Sequence, residues 1–97
     1  MNATLNIYKD CSSEAPTKTY TCRRLLFGAS QKIQELSDSM EGKSEKEQTQ
    51  ITLDIIKTIF PHFEDDDFNY IDAQEWLEFV NEIGKETNNI IIHATKK

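Results

Sequence analysis

Residues 64–76, EDDDFNYIDAQEW, decide how this chain is assembled. The stretch lies between two segments of helical period and holds four of the seventeen acidic residues in one run, Glu64 to Asp67. Helix, acidic loop, helix is the outline of a calcium site. It is equally the outline of a helical hairpin with a polar connection. A calcium loop places oxygen ligands at its first, third and fifth positions, a sharp turn at the sixth, an apolar residue at the eighth and a bidentate glutamate at the twelfth. Counted from Glu64, the ligands Glu64, Asp66 and Glu75 and the apolar Ile71 fall correctly, but Phe68 takes a ligand position and Asn69 the turn. Counted from Asp65, the ligands Asp65, Asp67 and Asn69 are good, but Tyr70 takes the turn and Trp76 the place of the glutamate. Each register loses an oxygen ligand, and no second loop accompanies this one. Asp72-Ala73-Gln74-Glu75 is also a capping box, with Ile71 and Trp76 placed as a hydrophobic staple. The stretch therefore reads as a solvated acidic loop followed by a helix that Asp72 caps.

Downstream, Trp76 begins the buried stripe of that helix, which continues through Leu77, Phe79, Val80 and Ile83. Gly84 either ends it or lies within a helix that runs on toward Ile92. Upstream, Ser44-Glu45-Lys46-Glu47 is a second capping box. It opens a helix whose stripe is Ile51, Ile55, Ile56, Ile59, Phe60 and Phe63, and Pro61 ends or kinks that helix near Phe60. A first helix follows Arg23, with Leu26, Ala29, Ile33, Leu36 and Met40 on its buried face. Gly28 marks close packing or a late start, and residues 41–44, EGKS, form a break. At the N-terminus Thr4 to Lys9 alternates, with Leu5 and Ile7 on one face and Asn6 and Tyr8 on the other. Lys18 to Cys22, KTYTC, is a second β-rich run, separated from the first by a loop containing Pro16. Two short neighbouring strands make an antiparallel hairpin, which must pack on helices to be stable. The expected fold is α+β: a short N-terminal β-hairpin packed on a three-helix, mainly α-helical domain. Residues 1–97 form one domain, with the hairpin over 1–22, the helical part over 23–92 and a polar tail over 93–97.

Composition narrows the function. A net charge of −6 argues against nucleic-acid binding, which needs a basic face. The basic pairs Arg23-Arg24 and Lys96-Lys97 read as solvated. No run approaches the ~20 apolar residues of a membrane span, and the N-terminus lacks a signal pattern, so a cytoplasmic protein is expected. Cys11 and Cys22 are too few for a metal site. They read as free thiols, with Cys22 partly buried, although a bridge across the hairpin is sterically imaginable. His62 and His93 have no evident catalytic partner, and Glu82 and Glu86 lie one turn apart as surface glutamates commonly do. There is no phosphate loop, serine elbow or metal-spaced cluster. No enzyme activity, cofactor or metal is expected. Six of the nine aromatics, Phe60, Phe63, Phe68, Tyr70, Trp76 and Phe79, fall between residues 60 and 79. They make up the core, or part of them lines a groove for a partner's hydrophobic helix.

The order of these features resembles a known family, the tail assembly chaperones of long-tailed bacteriophages that infect Gram-positive bacteria. The resemblance rests on the strand pair with its aromatic, Lys18 to Tyr20; on Arg23-Arg24-Leu25-Leu26 opening a helix; and on the polar stretch Ser37 to Glu47. It continues with the helix end Ile55 to Phe60, the acidic entry Phe63-Glu64-Asp65-Asp66, and Gln74 to Phe79 in the last helix. It covers most of the chain through residue classes, not invariant signatures. Where family members often carry Phe-Gly, this chain has Phe60-Pro61-His62-Phe63. The resemblance implies a non-enzymatic protein of the host cytoplasm. Such a protein binds the long, hydrophobic tape-measure protein and keeps it soluble during tail assembly, with the tail tube protein as a second expected partner. A longer frameshifted form and self-association would accompany it in some members. The expected contact surface is Ile59, Phe63, Trp76, Phe79 and Val80. Two alternatives stand beside it: a calcium-responsive regulator using the acidic helix-loop-helix, and a small acidic regulatory protein binding one basic partner.

Overall fold

The computed structural model describes residues 2–95, with side-chain surroundings for residues 2–88. Two strands, β1 (Ala3–Ile7) and β2 (Lys18–Cys22), lead to α1 (Phe27–Asp38) and α2 (Glu45–Ile59). A 3-10 helix (Asp65–Tyr70) then leads to α3 (Ala73–Thr95). The strands pair antiparallel from Ala3 opposite Cys22 to Ile7 opposite Lys18. Alternation sorts β1 cleanly: Ala3, Leu5 and Ile7 are buried, while Thr4 and Asn6 are only half-buried. The fold is the expected α+β hairpin on three main helices.

The helix starts follow local chemistry. Ser44 Oγ accepts from the Glu47 amide at 3.2 Å and the Glu47 carboxylate accepts from the Ser44 amide at 3.4 Å, so the capping box is closed in both directions. At the other end of α2, Phe60 N–H still bonds the Ile56 carbonyl at 2.7 Å, and Pro61 has no N–H with which to continue. Helix α1 begins later than Arg23. Leu26 is extended (φ −70°, ψ 149°) and offers no side-chain cap. The segment from Arg23 to Leu26 carries the chain from strand to helix, and Leu26 is 66% exposed instead of belonging to the buried stripe. Ser30 is buried there, its hydroxyl donating to the Phe27 carbonyl at 2.7 Å. The break after α1 turns through Gly42 at φ +79°, a left-handed conformation that glycine adopts without strain. Gly84 does not end α3, whose backbone continues to Thr95.

The core is one cluster. Leu5 and Ile56 are fully enclosed at its centre, with Ile7, Ile33, Leu53, Phe60, Phe63, Phe79 and Ile83 around them. Leu53 lies outside the stripe read from the sequence, because α2 turns Leu53 and Ile56 inward and leaves Ile51, Ile55 and Ile59 half-buried. Helix α1 packs on both α2 and α3, and β1 packs on α3, whereas α2 and α3 make no comparable backbone contact. Ile71 bridges to Ile7, and Tyr8 N–H bonds the Tyr70 carbonyl at 2.9 Å, so the connection between α2 and α3 is held against the hairpin. Cys11 is exposed and Cys22 buried, both as free thiols, and burial pushes the Cys22 thiol pKa up. Among the described residues no helix is long and apolar enough to cross a membrane.

Candidate functional site: an apolar groove between three helices

Because α2 and α3 each pack closely on α1 and only sparsely on each other, a gap runs between them. It encloses about 440 Å³. Ile33 of α1 and Met40, which lies past the end of that helix and not on its buried face, floor it. Ile55, Ile56 and Ile59 form the α2 wall, and Trp76, Phe79, Val80 and Ile83 the α3 wall. Gln34, Ser37, Thr52, Thr87 and Asn88 supply its polar atoms, and no lining residue is charged. In a chain with 29% charged residues, an uncharged lining of this extent marks a surface matched to an apolar occupant.

Four of the five residues expected to form a contact surface come together here: Ile59, Trp76, Phe79 and Val80. Phe63 does not. It is 4% exposed, and its ring lies 4.9 Å from that of Tyr20. Pro61 ends α2 two residues before it, so Phe63 leaves the helical stripe and turns under the hairpin. Phe79 is buried and serves as both core and groove wall, while Val80 is well exposed. Leu77, one position past Trp76, is 57% exposed. Periodicity places Leu77 and Val80 on the buried stripe of α3, but Leu77 turns to solvent outside the groove and Val80 to the groove, because α3 buries only the side that carries Phe79 and Ile83. The residues of α1 could not be found that way, because nothing local to α1 says that it bridges two other helices.

The aromatic cluster is continuous. Phe68 meets Trp76 edge-on at 5.7 Å, Trp76 stacks on Phe79 at 6.0 Å, and Phe79 stacks on Phe60 at 5.9 Å. Phe60 in turn lies 5.5 Å from Tyr20. Most of these rings are therefore core, with Trp76 and Phe79 exposing their groove side. The chain of rings fixes the end of the groove at Ile59 and Trp76 against the hairpin.

The acidic run is less solvated than its sequence suggests. Asp67, with its side chain 13% exposed, accepts from Lys18 Nζ and from the Tyr20 hydroxyl, both at 2.8 Å. Burial disfavours its charged form, but these two hydrogen bonds outweigh burial and hold its pKa below the usual carboxylate value. The Asp67 bond also raises the Lys18 pKa, and burial, then the same carboxylate, raises that of Tyr20. Glu64 stands 3.4 Å from Lys18, and Asp65 pairs with Lys57. The capping box at α3 is only half formed. Asp72 accepts from the Glu75 amide at 3.0 Å, but the Glu75 carboxylate reaches across to Asn6 Nδ2 at 2.7 Å and the Tyr8 hydroxyl at 2.8 Å. That bond raises the Tyr8 pKa. These carboxylates hold the hairpin to the helical part. Among the described residues no group of three or more acidic, histidine or cysteine side chains is placed to hold a metal ion.

His62 is exposed next to Pro61. The side chain of His93 and the whole of Lys96-Lys97 lie outside the described residues. No family model, curated protein or solved structure matches the chain.

Proposed function

We propose that this chain is a non-enzymatic binding protein of the assembly-chaperone kind, which holds an amphipathic helix of a longer partner in the groove between α2 and α3. The observation that carries this reading is the groove itself: three helices that leave space between them for the inserted side chains of a fourth, walled by Trp76, Val80 and the α2 isoleucines and free of charge. A partner helix would insert apolar anchors at i, i+3 or i+4, and i+7. The net charge of −6 keeps the carrier soluble while its apolar face is in use. The resemblance to tail assembly chaperones supplies the partner class, a phage tape-measure protein handled in the host cytoplasm. The calcium reading has no comparable support, since Asp65, Asp67 and Glu75 are engaged with protein partners.

The test begins with the coding neighbourhood, where a long helical reading frame directly downstream identifies the partner. Coexpression should then raise the soluble yield of that protein, and Val80→Asp should abolish the gain without unfolding the carrier. An unchanged soluble yield with the wild-type chain, or an equal gain with the aspartate variant, sinks the proposal.

A further inference from the structure

Thr87 lines the α3 wall of the groove together with Gly84 and Asn88. It is 4% exposed, and its Oγ1 has no hydrogen-bond partner among the described residues. This is unusual for a helical threonine, which ordinarily turns its hydroxyl onto the carbonyl four residues back. Thr49, Thr52 and Thr58 on α2 all do so, each at 2.9 Å. Thr87 leaves the Ile83 carbonyl unused in this way, so its hydroxyl is both enclosed and unsatisfied among the described residues. A buried hydroxyl without a partner is a standing cost, because it has given up water and gained nothing. Gly84, one turn earlier, is a second departure. A Cβ built there meets nothing within 4 Å, so no contact among the described residues calls for glycine in the middle of this helix. A neighbouring helix that approaches closely at that point does call for it.

We infer, resting on the groove reading above, that the occupant is a helix whose inserted stripe is apolar except for one neutral hydrogen-bonding side chain, an Asn, Gln, Ser or Thr, seated on the Thr87 hydroxyl. The hydroxyl both donates and accepts, so it suits any of these. The uncharged lining excludes a charged residue from the inserted stripe, because an ion buried there would lack a counter-charge. The acidic character of the chain as a whole favours basic residues on the flanks of the occupant that remain in water. The arriving side chain reaches Thr87 by displacing the groups that cover it in the empty groove. Selection of this kind rejects an all-apolar helix by leaving Thr87 unpaired, which discriminates better than shape does among similar aliphatic surfaces.

The test uses three synthetic amphipathic helices of equal length with Lys and Arg on the outer face. One has an all-Leu stripe; the other two carry Asn in place of the first or the last stripe residue, which allows for either direction of entry. Binding is read from the fluorescence of Trp76, the single tryptophan, which lines the groove. One Asn peptide should bind the wild-type chain about fivefold tighter than the other, the worth of one net hydrogen bond. Thr87→Val, which keeps the shape and removes the hydroxyl, should erase that preference and improve binding of the all-Leu peptide. Equal peptide preferences in the two proteins would overturn the inference while leaving the groove reading in place. If no peptide binds either protein, the groove reading fails and takes this inference with it. Sedimentation of the chain alone should give a monomer. A dimer abolished by Val80→Asp would make a second copy the occupant and overturn the choice of a foreign helix.

Discussion

Lys18 Nζ lies 2.8 Å from Asp67 Oδ2 and thereby ties β2 to the 3-10 helix that leads into α3. The Asp67 pKa is depressed in the folded chain. Its contribution to stability is present above the ordinary carboxylate value, about pH 4, and is lost as pH falls through the depressed value. The Lys18 pKa is raised, so its share is present below about pH 10.4 and is lost as pH rises through the folded value. Asp67→Asn should therefore lower the melting temperature at pH 7 and flatten its fall below pH 4. Melting curves at pH 7, 4 and 2.5 check this, and an acid slope equal to the wild type refutes it.

The two helix caps differ in completeness, and their removal should differ accordingly. Ser44→Ala opens a reciprocal capping box and should cost about 1 kcal/mol. Asp72→Ala removes a single bond to the Glu75 amide and should cost less, since Glu75 stays anchored to Asn6 and Tyr8. Urea denaturation of both variants gives the comparison, and an equal or reversed order would show that the Glu75 anchor does not hold the start of α3.

Phe63 and Val80 separate folding from binding. Phe63→Ala empties a core position beside Tyr20 and should cost about 3–5 kcal/mol, enough to unfold much of so small a protein. Val80→Asp acts at an exposed site and should change stability by about 0.5 kcal/mol or less while abolishing helix binding. Denaturation together with Trp76 fluorescence titration tests both statements. A Val80→Asp chain that is unfolded, or that still binds, would contradict the assignment.

Two substitutions in the α3 wall should stabilise the empty protein. Gly84→Ala meets no steric obstacle and should add about 0.5–1 kcal/mol through helix propensity. Thr87→Val removes an unpaired hydroxyl and should add about 1 kcal/mol. Thermal melts of the single variants measure each effect. A destabilising Thr87→Val would mean that the hydroxyl is already satisfied in the free chain.

The strands, the start of α2 at Ser44 and its end before Pro61 were legible in the sequence, because alternation, a capping box and a missing amide act over a few residues. The start of α1 was not. Leu26 keeps helical spacing with Ala29, yet no capping side chain precedes it and the strand exit needs Arg23 to Leu26. Apolar spacing on α2 likewise did not show that Leu53 and Ile56 are buried while Ile55 and Ile59, beside Ile56 in the groove wall, stay half-buried. Both sets are aliphatic, and only the position of α1 tells them apart. Glu75 was placed in a cap by sequence logic, but the hairpin offers its carboxylate two donors at shorter distances. Four groove residues were found because they cluster near the α2–α3 connection. Thr87 was missed because a threonine in a helix carries no signal until its burial and its lack of a partner are seen together.

Helix α1 bridges the two walls of the groove, which make no comparable contact with each other among the described residues. On the proposed function, an occupying helix adds a second bridge, and its binding energy becomes folding energy. At a hundredfold excess over Kd this is worth about 2.7 kcal/mol. Empty copies then open more often than filled ones and are the first to meet a protease. Turnover would trim the surplus and match the supply of carriers to the supply of helices they carry.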